Sequence, residues 1–213
     1  MTFFQDLPVP EPPRRGRAVR YVPPAWAGAP RHELPAVVHL GRFLHLSPAF
    51  VMAVESVKVY STGCVFELSW KLRRQDESDE QWHELNASFF SQPHARWAKP
   101  DMPLAALLCG VEFPDGAKAS TGAMLDRPHP APNAPQPEPP VLLFQGRGGG
   151  GGDDEMSGTG TLWLWPLPPA GNLRLVAQWT DMGMAESSII LDGIQLRDAA
   201  AGAREYWRDE AEG

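Results

Sequence analysis

The residues with the most obvious capacity for chemistry lie in "LLFQGRGGGGGDDEMSGTG", residues 142 to 160. A short apolar run leads into a glycine run, and three acids follow. Gly146, Gly148 and Gly151 match the spacing G-x-G-x-x-G. Such glycines cradle a dinucleotide only where a helix opens directly behind them and points its N-terminus at the pyrophosphate. Here "DDEMSGTGT" follows, without a helical pattern, and Asp153, Asp154 and Glu155 would repel a phosphate. A P-loop needs Lys and then Ser or Thr after its last glycine, and none is present. Three adjacent acids do not space themselves around a calcium ion, and no EF-hand pattern exists. The run therefore reads as a flexible, solvated loop.

Other reactive side chains fall short of a constellation. His32-Glu33 and His83-Glu84 open the zinc-protease spacing H-E-x-x-H, but positions 36 and 87 are Ala. The six histidines, at 32, 39, 45, 83, 94 and 129, are scattered. His39 and His45 fall on one expected strand and read as core or edge histidines rather than metal ligands. No G-x-S-x-G elbow supports a serine nucleophile. Cys64 sits behind a turn on the apolar face of a strand, where packing explains it better than a dyad with a distant His. Pairs of carboxylates always exist among 26 acids and decide nothing. No catalytic residue, cofactor or metal is expected.

Cys64, Trp70 and Cys109 stand in the order of an immunoglobulin core, but the tyrosine two residues before the second Cys is replaced by Leu107. Both cysteines are read as buried free thiols. Trp163 and Trp165 lie two apart, on one face of an extended strand, and could offer a carbohydrate or another ligand an aromatic platform. Burial in a core is the plainer reading.

Composition narrows the classes. The chain has 213 residues, is 43% hydrophobic and carries a net charge of -7. Nucleic-acid affinity rests on basic residues against phosphates. The basic residues cluster only at Arg14, Arg15, Arg17 and Arg20, so no nucleic-acid partner is expected on charge grounds. No apolar run approaches the roughly 18 residues of a membrane span. No secretory signal is read at the start, so a cytoplasmic location and no membrane partner are expected.

The elements that would position these residues are mostly strands. "CVFELSWKLR" alternates Cys64, Phe66, Leu68, Trp70 and Leu72 with more polar neighbours, the period of a half-buried antiparallel strand. "LPAVVHLGRFLHL" reads as a strand broken near Gly41, and "STG" at 61–63 as a turn with Gly63 at positive φ. "QWHELNASFF" reads as a further strand, and "LLCGVEFPDGAKAS" as two strands joined by a Pro-Asp-Gly turn. "VLLFQ", "TLWLWPL", "NLRLVAQW" and "SSIILDG" follow, with a proline-rich loop at 127–140. Asp192 is a good N-cap for an Ala-rich helix over 193–207, which would dock through Leu196, Ala200, Ala203 and Trp207.

Seven to nine strands and one helix predict an all-β fold. It is an antiparallel β-sandwich, immunoglobulin-like or jelly-roll-like, with an extended N-terminal arm and one C-terminal helix. The arm is the Pro- and Arg-rich stretch 1–33, laid over the domain through Tyr21 and Trp26. Residues 34–207 form the single domain, and 208–213 a disordered tail.

"PPAWAGAP…LPAVVHL", "VKVYSTGCVFELSWKLR", "GVEFPDGAKAS", "GRGGGGG", "LWLWPLPPAGNLRLVAQWTDMGMAESSIILDG" and "IQLRDAAAGAREYW" appear in this order over residues 22 to 207. In this the chain resembles a family of uncharacterised bacterial proteins with a glycine run followed by W-P-L-P-P-x-G. The resemblance implies a shared fold unit, in which the glycine run belongs to the design, and brings no catalytic residues.

The functional expectation is a non-catalytic cytoplasmic interaction or accessory protein that binds another macromolecule, most simply a protein. A homo-oligomer is compatible with it. Val141, Leu143, Phe144, Arg147, Trp163 and Trp165 form the expected surface, because sheet edges are templates for added strands. The alternatives are a ligand- or carbohydrate-binding sandwich with a Trp platform, and an enzyme with an unrecognised site.

Overall fold

Alternation in the sequence becomes pairing in space. The computed structural model describes residues 22–90, 107–121 and 135–207. Tyr21, the four arm arginines, His94, His129, most of the proline-rich loop and the tail at 208–213 lie outside the described residues. Five strands form one antiparallel sheet in the order β2-β3-β4-β8-β7: β2 (Ala36–Leu46), β3 (Phe50–Val59), β4 (Cys64–Arg73), β7 (Val141–Gly151) and β8 (Glu155–Trp165). Four form a second, ordered β10-β9-β5-β6: β5 (Leu108–Glu112), β6 (Lys118–Ser120), β9 (Asn172–Trp179) and β10 (Met184–Asp192). β1 (Glu33–Leu34) and β11 (Arg204–Glu205) make a short ribbon. The described residues are thus mostly β, with two short helices and no sheet closed into a barrel among them.

The inward positions of both sheets meet in one core. Phe66, Leu68 and Trp70 of β4 join Leu173, Leu175, Ala177 and Trp179 of β9, and all are buried. Trp179 is the hinge of this contact. It lies edge-on to Phe50 and to Trp70, each at 5.7 Å between ring centres, the geometry in which the positive edge of one ring meets the negative face of another.

The turns are largely as the sequence implies. Gly41 takes φ 57 where the β2–β3 register shifts, and Gly116 takes φ 87 in the Pro-Asp-Gly turn between β5 and β6. Gly63 is different: it lies outside the left-handed region, and what excludes a side chain is the carbonyl of Leu164, 2.3 Å from where a Cβ would sit. His39 and His45 lie on the edge strand β2, the first exposed and the second half-buried against Phe50.

Three expectations need correction. "QWHELNASFF" is not a strand but most of helix α1 (Asp79–Phe90). Ser78 and Gln81 cap it reciprocally, the Ser78 amide donating to Gln81 Oε1 at 2.9 Å and the Gln81 amide to Ser78 Oγ at 3.3 Å. Trp82, Leu85 and Phe89 then fall on one helical stripe facing the core. The C-terminal helix is also shorter than 193–207. It is α2 (Gly193–Ala200), capped by Asp192 Oδ1, which accepts from the Ile194 and Gln195 amides. The chain then turns at Gly202 and pairs as β11 with β1. Leu196 docks as expected, whereas Trp207 is 70% exposed and lies against His32 and Tyr206. The third correction is the glycine run, which forms the second half of β7.

Cys64 and Cys109 are free and buried, one in each sheet. Burial pushes both thiols up to about 12, because a thiolate there would lose its hydration. Unfolded thiols ionise near 9 while the native ones stay protonated, so stability is intact below pH 9 and falls as pH rises from there toward 12. The limiting slope is about 1.4 kcal/mol per pH unit for each thiol. Urea midpoints measured between pH 7 and 10.5 should fall more steeply for the parent than for a Cys64→Ala/Cys109→Ala variant.

The revised C-terminus gives a second expectation. Leu196→Ala should cost about 2–5 kcal/mol, while Trp207→Ala should stay within about 0.5 kcal/mol. Thermal melts of the two variants check this, and a large loss at Trp207 would restore the longer helix.

Candidate interaction surface

The glycine-rich hairpin is built by pairing, not by its own side chains. Gly148 to Gly151 of β7 pair in register with Thr159 to Met156 of β8, and Gly152 closes the turn, its amide donating to the Glu155 carbonyl at 2.9 Å. Asp153 and Asp154 are the turn residues. Glu155 faces Lys71 across the strands at 3.3 Å.

The missing side chains make room for aromatic ones. Gly158 and Gly160 lie opposite Trp70 and Leu68, on the core side of β8. A Cβ on Gly158 would come within 2.3 Å of Trp70 Nε1, and one on Gly160 within 2.5 Å of the Phe144 ring. On β7, a Cβ on Gly149 would meet the Ser157 carbonyl at 2.6 Å and the Phe90 ring at 3.0 Å. Helix α1 lies over this bare stretch. Its Trp82 Nε1 donates to the Gly152 carbonyl at 3.2 Å, and its Phe89 stacks on Trp179 at 5.7 Å, so the helix ties the hairpin tip to the second sheet. Arg74 locks the helix start. Its guanidinium donates to the Glu77 carbonyl and to Asp79 Oδ1 at 2.6 Å, and lies over the Trp82 ring. That bond holds the Asp79 carboxyl below its ordinary range.

On the other face of the same sheet the expected surface residues divide. Val141 pairs with Trp165 and Leu143 with Trp163, which brings these four together. Phe144 points to the opposite, core side, opposite Leu162. The Arg147 side chain lies outside the described residues. Val141 and Trp163 are buried, while Leu143 and Trp165 are half-buried.

Trp163 is covered by residues 22–30, a stretch that includes the 3-10 turn Ala25–Ala27. Trp163 Nε1 donates to the Ala25 carbonyl at 3.1 Å, and Gln145 Nε2 to the Ala27 carbonyl at 3.0 Å. The Trp163 ring is 0% exposed and so offers no free platform in this arrangement. Trp26 is buried, as the expectation of an arm laid over the domain requires. Sequence reasoning missed Gln145 as a contact residue, since one amide in an apolar run carries no signal of its own.

The outer face also carries a polar cluster. Glu67 accepts from Ser56 Oγ and pairs with Lys58 Nζ at 2.5 Å. Burial opposes the charge of Glu67, but the bonds from Lys58 and Ser56 outweigh it and hold the carboxyl below its usual range. Ser56, Lys58 and Glu67 thus satisfy one another on this face of the sheet. Among the described residues no three His, Cys, Asp or Glu side chains converge on a metal position, and no helix is long and apolar enough to cross a membrane.

No protein-family model, no curated protein and no solved structure matches the chain.

The packing makes a sharp expectation. Gly158→Ala and Gly160→Ala should each cost about 1–3 kcal/mol through overpacking. Gly150→Ala, whose Cβ would meet nothing within 4 Å, should be near neutral. Denaturant midpoints of the three variants check it, and equal midpoints would mean that the hairpin is not clamped by Trp70 and Phe144.

Proposed function

We propose that the chain is a non-catalytic, cytoplasmic interaction protein, a two-sheet sandwich that binds another protein along the open edge of β7. One observation carries the proposal. β7 stands at the end of the five-stranded sheet, and among the described residues no strand pairs with its far side. Its second half, Gly148 to Gly151, is exposed and has no side chains to obstruct an incoming chain. Backbone groups on such an edge are a template for a further strand. Natural edges are commonly blunted by lysine or proline, and β7 carries neither.

Substitution on the edge tests the proposal. Gly150→Lys introduces a charge where a Cβ has open space, so the melting temperature should be unchanged. Capture of protein partners from a lysate of the source organism should fall at least ten-fold. Equal capture by parent and variant removes β7 from the binding surface. Loss of capture in Trp207→Ala instead would move the surface to the β1–β11 ribbon, where Leu34, Tyr206 and Trp207 are exposed.

A further inference from the structure

Four buried apolar residues, Trp26, Val65, Val141 and Trp163, stand apart from the main core. Val65, Val141 and Trp163 lie side by side on the outer face of the five-stranded sheet, and Trp26 comes from the segment 22–30 that closes over them. That segment adds no strand to the sheet. It is held instead by one tryptophan anchor and by two backbone carbonyls, those of Ala25 and Ala27, which accept from the Trp163 indole and the Gln145 amide. Tyr60 braces the Trp163 ring edge-on at 6.0 Å. Pro24, at φ -62 and ψ 153, has polyproline backbone geometry.

The two accepting carbonyls lie in the 3-10 turn Ala25–Ala27, which the Ala27 amide closes by donating to the Pro24 carbonyl at 2.9 Å. Pro23, Pro24 and Pro30 flank the turn, and their fixed φ keeps the cost of ordering the segment low. A cavity of about 280 Å³ lies beside the segment, bounded by Val22, Pro23, Ala25 and Gly28 of the segment and by Thr62. Thr62 Oγ1 is buried with no partner among the described residues.

We propose that the face around Trp163 is a recognition groove for proline-rich segments that carry one tryptophan, and that residues 22–30 occupy it in cis as a displaceable stand-in. Tethering gives the cis segment an effective concentration on the order of millimolar, so it holds the groove against a free competitor and yields when it is drawn away. The groove uses the outer face of the sheet and not the β7 edge, so this proposal and the edge-binding proposal fail separately.

The probe is a labelled synthetic peptide with the sequence of residues 22–30, followed by fluorescence polarisation. The Trp26→Ala chain should bind it saturably and at least ten-fold tighter than the parent chain. A peptide with alanine in place of its tryptophan should not bind, and Gln145→Ala in the Trp26→Ala background should weaken binding several-fold. A folded Trp26→Ala chain that ignores the peptide overturns the proposal. So does equal binding by the parent chain, or equal binding of the peptide without tryptophan. A second measurement keeps every side chain of the segment: a protease site built at Arg31–His32 allows the segment to be cut free. The cut segment should exchange for labelled peptide while the circular dichroism of the chain stays unchanged. Unfolding of the Trp26→Ala chain leaves the decision to this cut chain. Failure to exchange at millimolar peptide, or melting of the sheet on cutting, means that residues 22–30 are an integral part of the fold and that the groove is not a recognition site.

Discussion

The contact of large aromatic rings with bare glycine backbone is the constraint on which this architecture rests. Trp70 needs the space above Gly158 and Gly160, and it can then reach Trp179 of the opposite sheet. Phe89 needs Trp179 in place to stack upon, and Phe90 needs Gly149. A branched residue at any of these glycines would hold the rings away from the sheet and separate the layers. Interiors are packed about as densely as organic crystals, so a ring displaced by one methyl group has nowhere near at hand to go. Gly158 and Gly160 of β8 are therefore the concave half of an aromatic core, and Gly149 of the glycine run takes the Phe90 ring.

Helix α1 follows from the same constraint. A two-stranded stretch without side chains on one strand buries little apolar surface by itself, and isolated hairpins are marginal in water. Something must cover it, and α1 does so from outside the sheet, with Trp82 at the hairpin tip and Phe89 at the second sheet. The Arg74 contacts with Glu77, Asp79 and the hairpin, where the Arg74 amide donates to the Asp154 carbonyl at 2.8 Å, join the end of β4, the start of the helix and the turn at one point. Strand, turn and helix start are thus fixed together.

Much of the β architecture was legible because period two with one apolar face leaves few choices. β4 and β9 are the clearest instances, and their inward residues are the ones the alternation names. The glycine half of β7 was illegible for a physical reason. Glycine is silent in a binary pattern, and the strand exists only through pairing with β8 and cover from a helix some sixty residues upstream. The signal that was there lies in "SGTGT", where glycine recurs every second residue opposite Trp70 and Leu68. In α1 the local signal was better than the reading made of it. Ser78 and Gln81 have capping-box spacing, and Trp82, Leu85 and Phe89 have helical spacing, but the aromatic content resembled a strand. The stripe from Leu196 to Trp207 was extended too far because Ala-rich sequence continues past Ala200, while Gly202 and the pairing of Arg204 with Leu34 end the helix. Of the expected surface, the Val141, Leu143, Trp163 and Trp165 grouping was legible from strand period. The cover over Trp163 was not, since residues 22–30 have no periodicity to read.

The two halves of β7 carry opposite kinds of order. Its first half is fixed by side chains, with Leu142 in the core and Gln145 holding the Ala27 carbonyl. Its second half is fixed by backbone bonds to β8 and by rings that belong to other elements. Hydrogen bonds of that kind contribute about 0.5–1.5 kcal/mol each, and few of them are shielded from water on the open side. Stability in a native structure is not uniform, and segments with few buried contacts of their own open first. The glycine half of β7 is therefore the part of the five-stranded sheet in which an added strand changes most: it supplies backbone bonds where side-chain contacts are absent and shields those already made. The same absence of side chains that lets Trp70 and α1 close the core from within leaves the far edge of β7 with no paired strand among the described residues.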